Sequence, residues 1–226
     1  MKKILLFLVL CCISIVGMAQ TDVTKFLGIP VDGNKSDMMR KLKSKGFTQS
    51  PYAEGVLTGK FNGMDVDVHI VTNKDKVCRI MVCDANTMDE ASIRIRFNVL
   101  CEQFKNSSKY CSFSEEDPKL KEDENISYEM TVNKKRYQAI FYQIPDTTAA
   151  NYEEEIQSLI YSKYTKEQLE KPTEEITKDI YEMATMYTLD KAAKKPVWFI
   201  ISENYGQYYI TMFYDNEYNR AHGENL

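Results

Sequence analysis

The sequence predicts an α+β protein in which about seven antiparallel strands form three hairpin or meander groups, with helices packed on the sheet. In residues 55–84, apolar and polar side chains alternate in three short runs that tight turns separate. Similar runs recur at 126–143 and 197–214, and segments with apolar residues at helical spacing lie between them. Alternation with period two indicates strands with one buried face, and such a meander requires cover from helices.

The first group is a three-stranded meander with strands at 56–61, 64–72 and 77–83. Asn62 and Gly63 join the first two strands, and this dipeptide tolerates the positive φ angles of a tight hairpin turn. In the middle strand the apolar side chains share one face and the polar side chains share the other. The polar residues are Asp65, Asp67 and His69.

A helix is predicted on each side of this meander. Asn34 caps the first helix, and Gly46 ends it. Thr87 and Glu90 have the capping-box spacing at the start of the second helix, which extends from about 88 to 105. We place the apolar stripe of the second helix on the meander. The stripe consists of Ile93, Phe97, Leu100, Cys101 and Phe104.

Two further hairpins complete the predicted strands. The second group pairs strand 126–132 with strand 137–143, and the third pairs strand 197–202 with strand 208–214. The first strand of the third group is apolar on both faces, which favours a central position with cover on both sides.

The Glu- and Lys-rich segment 146–195 lies between the second and third hairpins. Helical spacing of its apolar residues predicts helices at 151–164, 165–171 and 173–189. The segment is either an insertion between sheet strands, and so a candidate for contact with a partner, or a second cover for the sheet.

The first 19 residues have the pattern of an export signal. A basic start at residues 1–3 precedes an apolar run from Ile4 to Val16, and small residues occupy positions 17 and 19. A signal peptidase reads these two positions. We therefore predict that residues 1–19 are a signal peptide cleaved before Gln20, and that the mature protein is periplasmic or secreted.

Membrane and lipid anchors fit this segment less well. A membrane-spanning helix needs about 20 apolar residues, and this run is shorter. The residue before Cys11 or Cys12 is not the small residue that usually precedes a lipid-modified cysteine. The mature chain, 20–226, is predicted to form a single α+β domain, with two related halves at about 26–111 and 112–226 as the alternative.

The charge distribution argues against a nucleic-acid partner. The formal net charge is −4, and acidic and basic residues are interspersed along the chain. A nucleic-acid-binding surface would need a basic stripe to neutralise phosphates.

The cysteine count permits disulfide bonds in an exported protein. Four cysteines follow the signal segment, and four allow two disulfides in three pairings. The alternative is that some are small buried apolar residues. No C-x-x-C pair occurs, so a zinc site is not predicted. The four residues are Cys78, Cys83, Cys101 and Cys111.

Asp65, Asp67 and His69 are the candidate residues for a metal or small-molecule site. Successive members lie about 7 Å apart along one strand, so they could hold an ion only with help from a neighbouring strand. The alternative is an ordinary solvent-exposed face. A second polar cluster in the tail has a local turn as its alternative. Its members are Asp215, Glu217, Asn219, His222 and Glu224.

Tyrosines crowd the third hairpin and its exit. Tyrosine combines apolar area with a polar tip, which binding surfaces favour, so these residues predict an exposed aromatic binding patch. Part of the set is expected to be core. The candidate residues are Tyr205, Tyr208, Tyr209, Tyr214 and Tyr218.

No catalytic motif accompanies these candidates. Only His69 and His222 could serve as the base of a hydrolytic triad, and neither lies in a nucleophile motif. We therefore predict a non-catalytic binding protein without a cofactor, whose partner is a protein or glycan of the cell envelope. A metal or small-molecule binder is the first alternative, and a hydrolase with a carboxylate pair is the second.

Both ends of the chain resemble a known group of proteins. Residues 26–33 (FLGIPVDG), residues 45–47 (KGF) and residues 214–221 (YDNEYNRA) are similar to secreted proteins of unknown function from Gram-negative gut anaerobes. This resemblance implies export and no particular activity. The order of a short helix and a three-stranded meander also resembles β-lactamase-inhibitor-like and outer-membrane-assembly lipoprotein modules, which implies protein binding through a sheet face.

Overall fold

The computed structural model describes residues 22–148 and 150–221. The predicted signal peptide at 1–19 and its cleavage point before Gln20 lie outside the described residues, as do His222 and Glu224 of the tail cluster. The described chain has the predicted α+β architecture with an antiparallel sheet.

The strands combine into one large sheet and one small sheet. The described strands are β1 (Lys25–Phe26), β2 (Ile29–Pro30), β3 (Thr48–Gln49), β4 (Val56–Phe61), β5 (Met64–Asn73), β6 (Lys76–Asp84), β7 (Tyr110–Cys111), β8 (Gln138–Gln143), β9 (Pro196–Asn204) and β10 (Gln207–Asp215). β1 pairs with β2 in the two-stranded sheet. The other eight strands follow the order β3-β4-β5-β6-β10-β9-β8-β7, and every neighbouring pair is antiparallel.

Six helices and one 3-10 turn accompany the sheets in the described part of the chain. The helices are α1 (Lys35–Ser44), α2 (Glu90–Lys105), α3 (Ile126–Thr131), α4 (Ala150–Lys163), α5 (Lys166–Glu170) and α6 (Glu174–Ala193), and the 3-10 turn is Glu217–Asn219. Within the two described ranges, no helix has both the length and the apolar character that a membrane crossing requires.

The large sheet differs from the predicted seven strands in three groups. The meander β4-β5-β6 and the hairpin β9-β10 form as predicted, and β8 is also present. The prediction of a strand at 126–132 is wrong, because α3 occupies that segment. Two-residue strands at both edges, β3 and β7, bring the total to eight.

α3 replaces the predicted strand because its first backbone amides find side-chain partners. The Asn125 side chain accepts a hydrogen bond from the Tyr128 amide at 2.8 Å, and the Glu90 carboxylate accepts one from the Ile126 amide at 2.8 Å. Ile126 and Met130, four residues apart, then lie on one helical face. Ile126 is fully buried, and Met130 packs against the core. β8 therefore pairs with β7 and β9 instead.

The turns of both hairpins use residues that accept positive φ. Asn62 and Gly63 have φ angles of 49° and 79°, as the dipeptide predicts. Tyr205 and Gly206 between β9 and β10 have φ angles of 52° and 74°. Two successive positive φ angles match the twist of the flanking strands.

Helices α1 and α2 cover one face of the large sheet. All five predicted stripe residues of α2 are buried. Phe97 of α2 meets Phe199 of β9 edge to face, with ring centroids 5.1 Å apart. Val68 of β5, Ile80 of β6 and Phe199 are completely buried. Burial of each large apolar side chain stabilises the fold by about 1.5–3 kcal/mol relative to exposure.

Asp89 caps α2, so the predicted capping box at Thr87 is wrong. The Asp89 side chain accepts a hydrogen bond from the Ser92 amide at 2.7 Å. This hydrogen bond lowers the pKa of the Asp89 carboxyl. Glu90 instead pairs with Arg94, with Oε1 and Nη2 3.3 Å apart, and accepts from the first amide of α3.

The segment from α4 to α6, which we call the helical hairpin, is an insertion between β8 and β9. These two strands are direct neighbours in the sheet. Among the described side chains of the helical hairpin, only Ala192 is buried. Just beyond it, buried Lys195 donates from Nζ to Asp22 Oδ2 at 2.7 Å, and desolvation lowers the pKa of Lys195. The alternative of a second sheet cover does not hold, because such a cover would bury an apolar stripe.

The four cysteines of the described chain are free thiols, so none of the disulfides that the cysteine count permits is present among them. Cys78 and Cys83 lie on the same strand, β6, and five residues of a strand span about 16 Å. Cys101 lies in α2, and Cys111 lies in the edge strand β7. A disulfide needs Cα atoms within about 7 Å, and Cys78 and Cys83 are too far apart along the strand to satisfy this.

Candidate binding site on the open sheet face

The face of the large sheet opposite α1 and α2 carries half-exposed side chains, and we call it the open face. The strand registers place residues from five strands on it. Ile140 on β8 is 42% exposed, whereas the core-facing residues of the central strands are almost fully buried. The open face comprises Asp67, His69, Arg79, Met81, Cys83, Ile140, Trp198, Ile200, Tyr209, Thr211, Phe213 and Asp215.

An aromatic and charged cluster lies at the centre of the open face. Trp198 of β9 and Phe213 of β10 are cross-strand partners with stacked rings, whose centroids are 3.9 Å apart. The Arg79 guanidinium lies 4.9 Å from the Phe213 ring centroid and 5.5 Å from that of Trp198. Guanidinium groups at such distances are attracted to the negative face of an aromatic ring.

Asp215 holds this cluster in one geometry. Arg79 donates to its carboxylate from Nε at 2.5 Å and from Nη2 at 2.7 Å, and Trp198 donates from Nε1 at 2.9 Å. Hydrogen bonding to Asp215 raises the pKa of the Arg79 guanidinium. The Asp215 side chain is 6% exposed, so three donors compensate a largely buried negative charge. The result is a rigid apolar platform with little free charge.

A polar groove of about 910 Å³ borders the same face at β4 and β5. Asp65, Asp67 and His69 all line this groove, as their spacing on one strand predicts. Tyr52, which is 96% exposed, lies in the loop that lines the opposite side. Lys60 Nζ lies 3.1 Å from Asp65 Oδ1 and partly neutralises the acidic end.

The described residues of the groove provide fewer than the three ligands of a preformed metal site. Across residues 22–148 and 150–221, no group of three His, Cys, Asp or Glu side chains has an arrangement that could hold a metal ion. Asp65, Asp67 and His69 share a face but are too widely spaced along β5, and the neighbouring strands supply hydroxyls and a thiol instead. Thr58 lies beside Asp67 on β4, and Cys83 lies beside it on β6.

The five candidate tyrosines do not share one surface. Tyr208 and Tyr214 are each 3% exposed and belong to the core. Tyr205 is 97% exposed at the tip of the β9-β10 turn, and Tyr218 is 43% exposed in the 3-10 turn at the other end of the hairpin. Only Tyr209 contributes to the open face.

The described members of the tail cluster combine a local turn with contacts to distant residues. The Asn219 side chain donates to Asp32 Oδ1 and to the Val77 carbonyl, both at 2.8 Å. Glu217 pairs with Arg220 at 3.0 Å. The Glu217–Arg220 pair is local, as a turn requires, whereas the Asn219 contacts attach the 3-10 turn to distant parts of the chain.

A second buried acid on the sheet, Asp84, is also paired with arginine. Asp84 has a side chain only 3% exposed, and its Oδ1 lies 3.1 Å from Arg96 Nη2. The Ile210 amide also donates to Asp84, at 3.3 Å. Asp84 and Asp215 are thus each engaged by an arginine, whereas the two acids of the groove lie on one strand. Two free carboxylates that face each other are absent from the Asp84 pair, the Asp215 cluster and the groove. These three places therefore give no support to the hydrolase alternative.

No local sequence motif predicts the cluster of Arg79, Trp198 and Asp215. Its residues lie far apart in the sequence, and they meet only because β10 pairs with both β6 and β9. One signal pointed to it, since strand 197–202 is apolar on both faces. No protein-family model matches the chain, and neither a curated protein nor a solved structure matches it.

Proposed function

We propose that this chain is an exported, non-catalytic binding protein of the cell envelope, and that the open face is its binding surface. One observation carries the proposal. A central sheet face retains half-exposed apolar side chains, including Trp198, Ile200 and Ile140, while the other face is fully packed. Contiguous apolar surface with a polar rim is typical of interaction sites.

The chemistry of the face favours a protein partner. Interfaces between proteins place aromatic residues and arginine at the centre and charged residues toward the rim. Trp198, Phe213 and Arg79 occupy the centre, and Asp65 and Asp67 lie in the groove at one side. We expect the partner to present apolar side chains to the aromatic cluster and basic side chains to the groove.

Site-specific photo-crosslinking in cells tests the surface. A photoreactive amino acid at Ile140 samples the open face, and one at Ile95 samples a control surface. Ile95 is the matched control because it is an apolar α2 residue that is 65% exposed. We expect a discrete adduct from position 140 and none from position 95. Equal adducts from both positions, or none from position 140, would contradict the proposal.

Digestion of the adduct with protease separates the two partner classes. A protein partner leaves a branched peptide that mass spectrometry identifies. A protease-resistant carbohydrate mass would instead identify a glycan partner, and would overturn our choice of a protein while retaining the surface.

Export has an independent test. Mass analysis of the protein recovered from the cell envelope should show an N-terminus at Gln20. A chain that retains residues 1–19, or that fractionates with the cytoplasm, would remove the export part of the proposal.

Small-ligand binding in the groove is a second candidate function, favoured by the gathering of Asp65, Asp67, His69 and two threonine hydroxyls around one concavity. A ligand that binds only the folded state raises the melting temperature. We would screen divalent ions and small amines against the wild type and Asp67→Asn, with Asp123→Asn in an exposed loop as the control. A shift abolished only by Asp67→Asn supports this function, and an unchanged melting temperature with every compound removes it.

A further inference from the structure

We infer that the outer face of α6 pairs with the same face of a second copy of this chain. This association is independent of the open face, because it uses the helical hairpin. Two features of the hairpin carry the inference. One is an apolar groove on α6 that no described element fills, and the other is the order of charges along its rim.

The inner side of α6 is already satisfied by α4. Lys163 and Tyr164 both bind Asp179, with Lys163 Nζ 2.7 Å from Asp179 Oδ1. Tyr187 meets Tyr152 edge to face, with ring centroids 5.6 Å apart. These contacts define which side of α6 faces α4.

The outer side of α6 lies about half a turn away on the helix surface. It carries a groove of about 770 Å³. Tyr181 is 71% exposed and Met186 is 66% exposed, although both are large apolar side chains. A helix with apolar residues on two opposite sides is expected to have a packing partner on each side. The groove is lined by Pro172, Glu174, Thr177, Lys178, Tyr181, Glu182, Thr185 and Met186.

The charges of the outer face favour a second copy in antiparallel orientation. Lys178 and Glu182 lie one turn apart, with Nζ and Oε1 3.8 Å apart in the monomer. A two-fold axis near residue 180 would place Lys178 of each copy opposite Glu182 of the other. Parallel pairing in register would instead place like charges together. The face is therefore complementary to itself only in the antiparallel arrangement.

This arrangement also accounts for the apolar residues. Tyr181 lies next to the proposed axis, so the two copies of its ring would cover each other. Met186 lies farther along the helix and would reach the segment of the second copy between Pro172 and Thr177. A two-fold interface uses the same patch on both copies, so both grooves are filled and the assembly closes as a dimer.

Sedimentation equilibrium of the processed protein at increasing concentration tests the inference. We expect a dimer for the wild type and a monomer for the double variant Tyr181→Lys/Met186→Lys. Ile95→Lys places one lysine at a similarly exposed site on α2 and should remain dimeric. A wild type that stays monomeric at the highest concentration, or a double variant that still dimerises, would overturn the inference. If the wild type is monomeric, we expect the groove on α6 to bind a helix of a different protein.

Charge reversal supplies a test that loss of folding cannot imitate. Lys178→Glu and Glu182→Lys should each weaken homodimerisation by about tenfold, since each places like charges opposite one another. An equimolar mixture of the two variants should associate about as tightly as the wild type, because each copy then meets the opposite sign. A mixture that associates no better than either variant alone would contradict the two-fold geometry, whatever the helicity of the variants.

Discussion

The core of the large sheet and the helical hairpin are both regular, but they bury their side chains very differently. In the core, Phe97, Phe199 and Ile80 are completely buried and contact residues from distant parts of the chain. In the described part of the hairpin only Ala192 is buried, and α4 and α6 meet through tyrosines and ion pairs. Regular secondary structure therefore does not imply equal stability.

This difference has a physical origin. A helix in water is stabilised mainly by packing of its apolar face, and ion pairs on exposed faces contribute little. The hairpin is thus expected to open at lower free energy than the sheet, as elements with few buried contacts do. Elements of low local stability are also those available for association, which agrees with the pairing proposed for α6.

The largest expected effect comes from truncating the core. Phe97→Ala removes a ring that packs on Phe199 and should lower the free energy of unfolding by about 3–5 kcal/mol. The hairpin counterpart is Ile180→Ala, a half-buried residue on α6. We expect a loss of at most about 1.5 kcal/mol there. Urea unfolding followed by circular dichroism measures both, and equal losses would show that the hairpin is as well packed as the core.

Buried and exposed ion pairs should show the same contrast. Asp84→Asn leaves Arg96, whose side chain is 11% exposed, without its counter-charge, and should cost about 2–4 kcal/mol. Glu155→Gln in the hairpin breaks a partly exposed pair with Lys191 and should cost less than about 1 kcal/mol. Thermal unfolding compares the two variants. A Glu155 variant that is the less stable of the two would reverse the ranking of the regions.

The fold class and most strands could be predicted from the sequence because alternation with period two is a local signal. β3 and β7 have two residues each, which is too short to show an alternation of apolar and polar side chains. They are recognised only by their pairing at the two edges of the sheet. α3 was missed because Ile126, Tyr128 and Met130 fit both a strand and a helix. The helix is favoured by the Asn125 cap together with Glu90, which lies 36 residues away from Ile126 in the chain.

The candidate site was predictable only where one strand contains it. Asp65, Asp67 and His69 share a face because of their spacing, and the structure places them in one groove. The meeting of Arg79 with Trp198 depends on the register between three strands, which no local pattern encodes. The positions of two tyrosines along β10 also indicate that they are buried. Tyr208 and Tyr214 share the parity of buried Ile210, which indicates the core face.

Added volume should be tolerated in the hairpin but not in the sheet. A Cβ atom at Gly59 would lie 2.7 Å from the Phe47 ring, closer than atoms can pack. Gly59→Ala should therefore cost about 1–3 kcal/mol, and Phe47→Leu in that background should recover part of the loss. Ala184→Leu on half-buried α6 should change stability by less than about 1 kcal/mol. Failure of Phe47→Leu to recover stability would place the strain elsewhere.

Thiol alkylation reports the same contrast without measuring global unfolding. Burial raises the pKa of the Cys101 thiol to about 12, so little thiolate forms at neutral pH. A thiol introduced by Ile180→Cys lies in the half-buried hairpin and should react while the sheet remains folded. Peptide mass spectrometry after iodoacetamide treatment should show fast modification at position 180 and modification of Cys101 only near the unfolding midpoint in urea.

The lower the concentration of the processed protein, the faster position 180 should react, because dissociation of the proposed dimer leaves α6 with one packing partner. A rate at position 180 that does not change with concentration, while the protein passes from dimer to monomer, would separate the stability of the hairpin from its association.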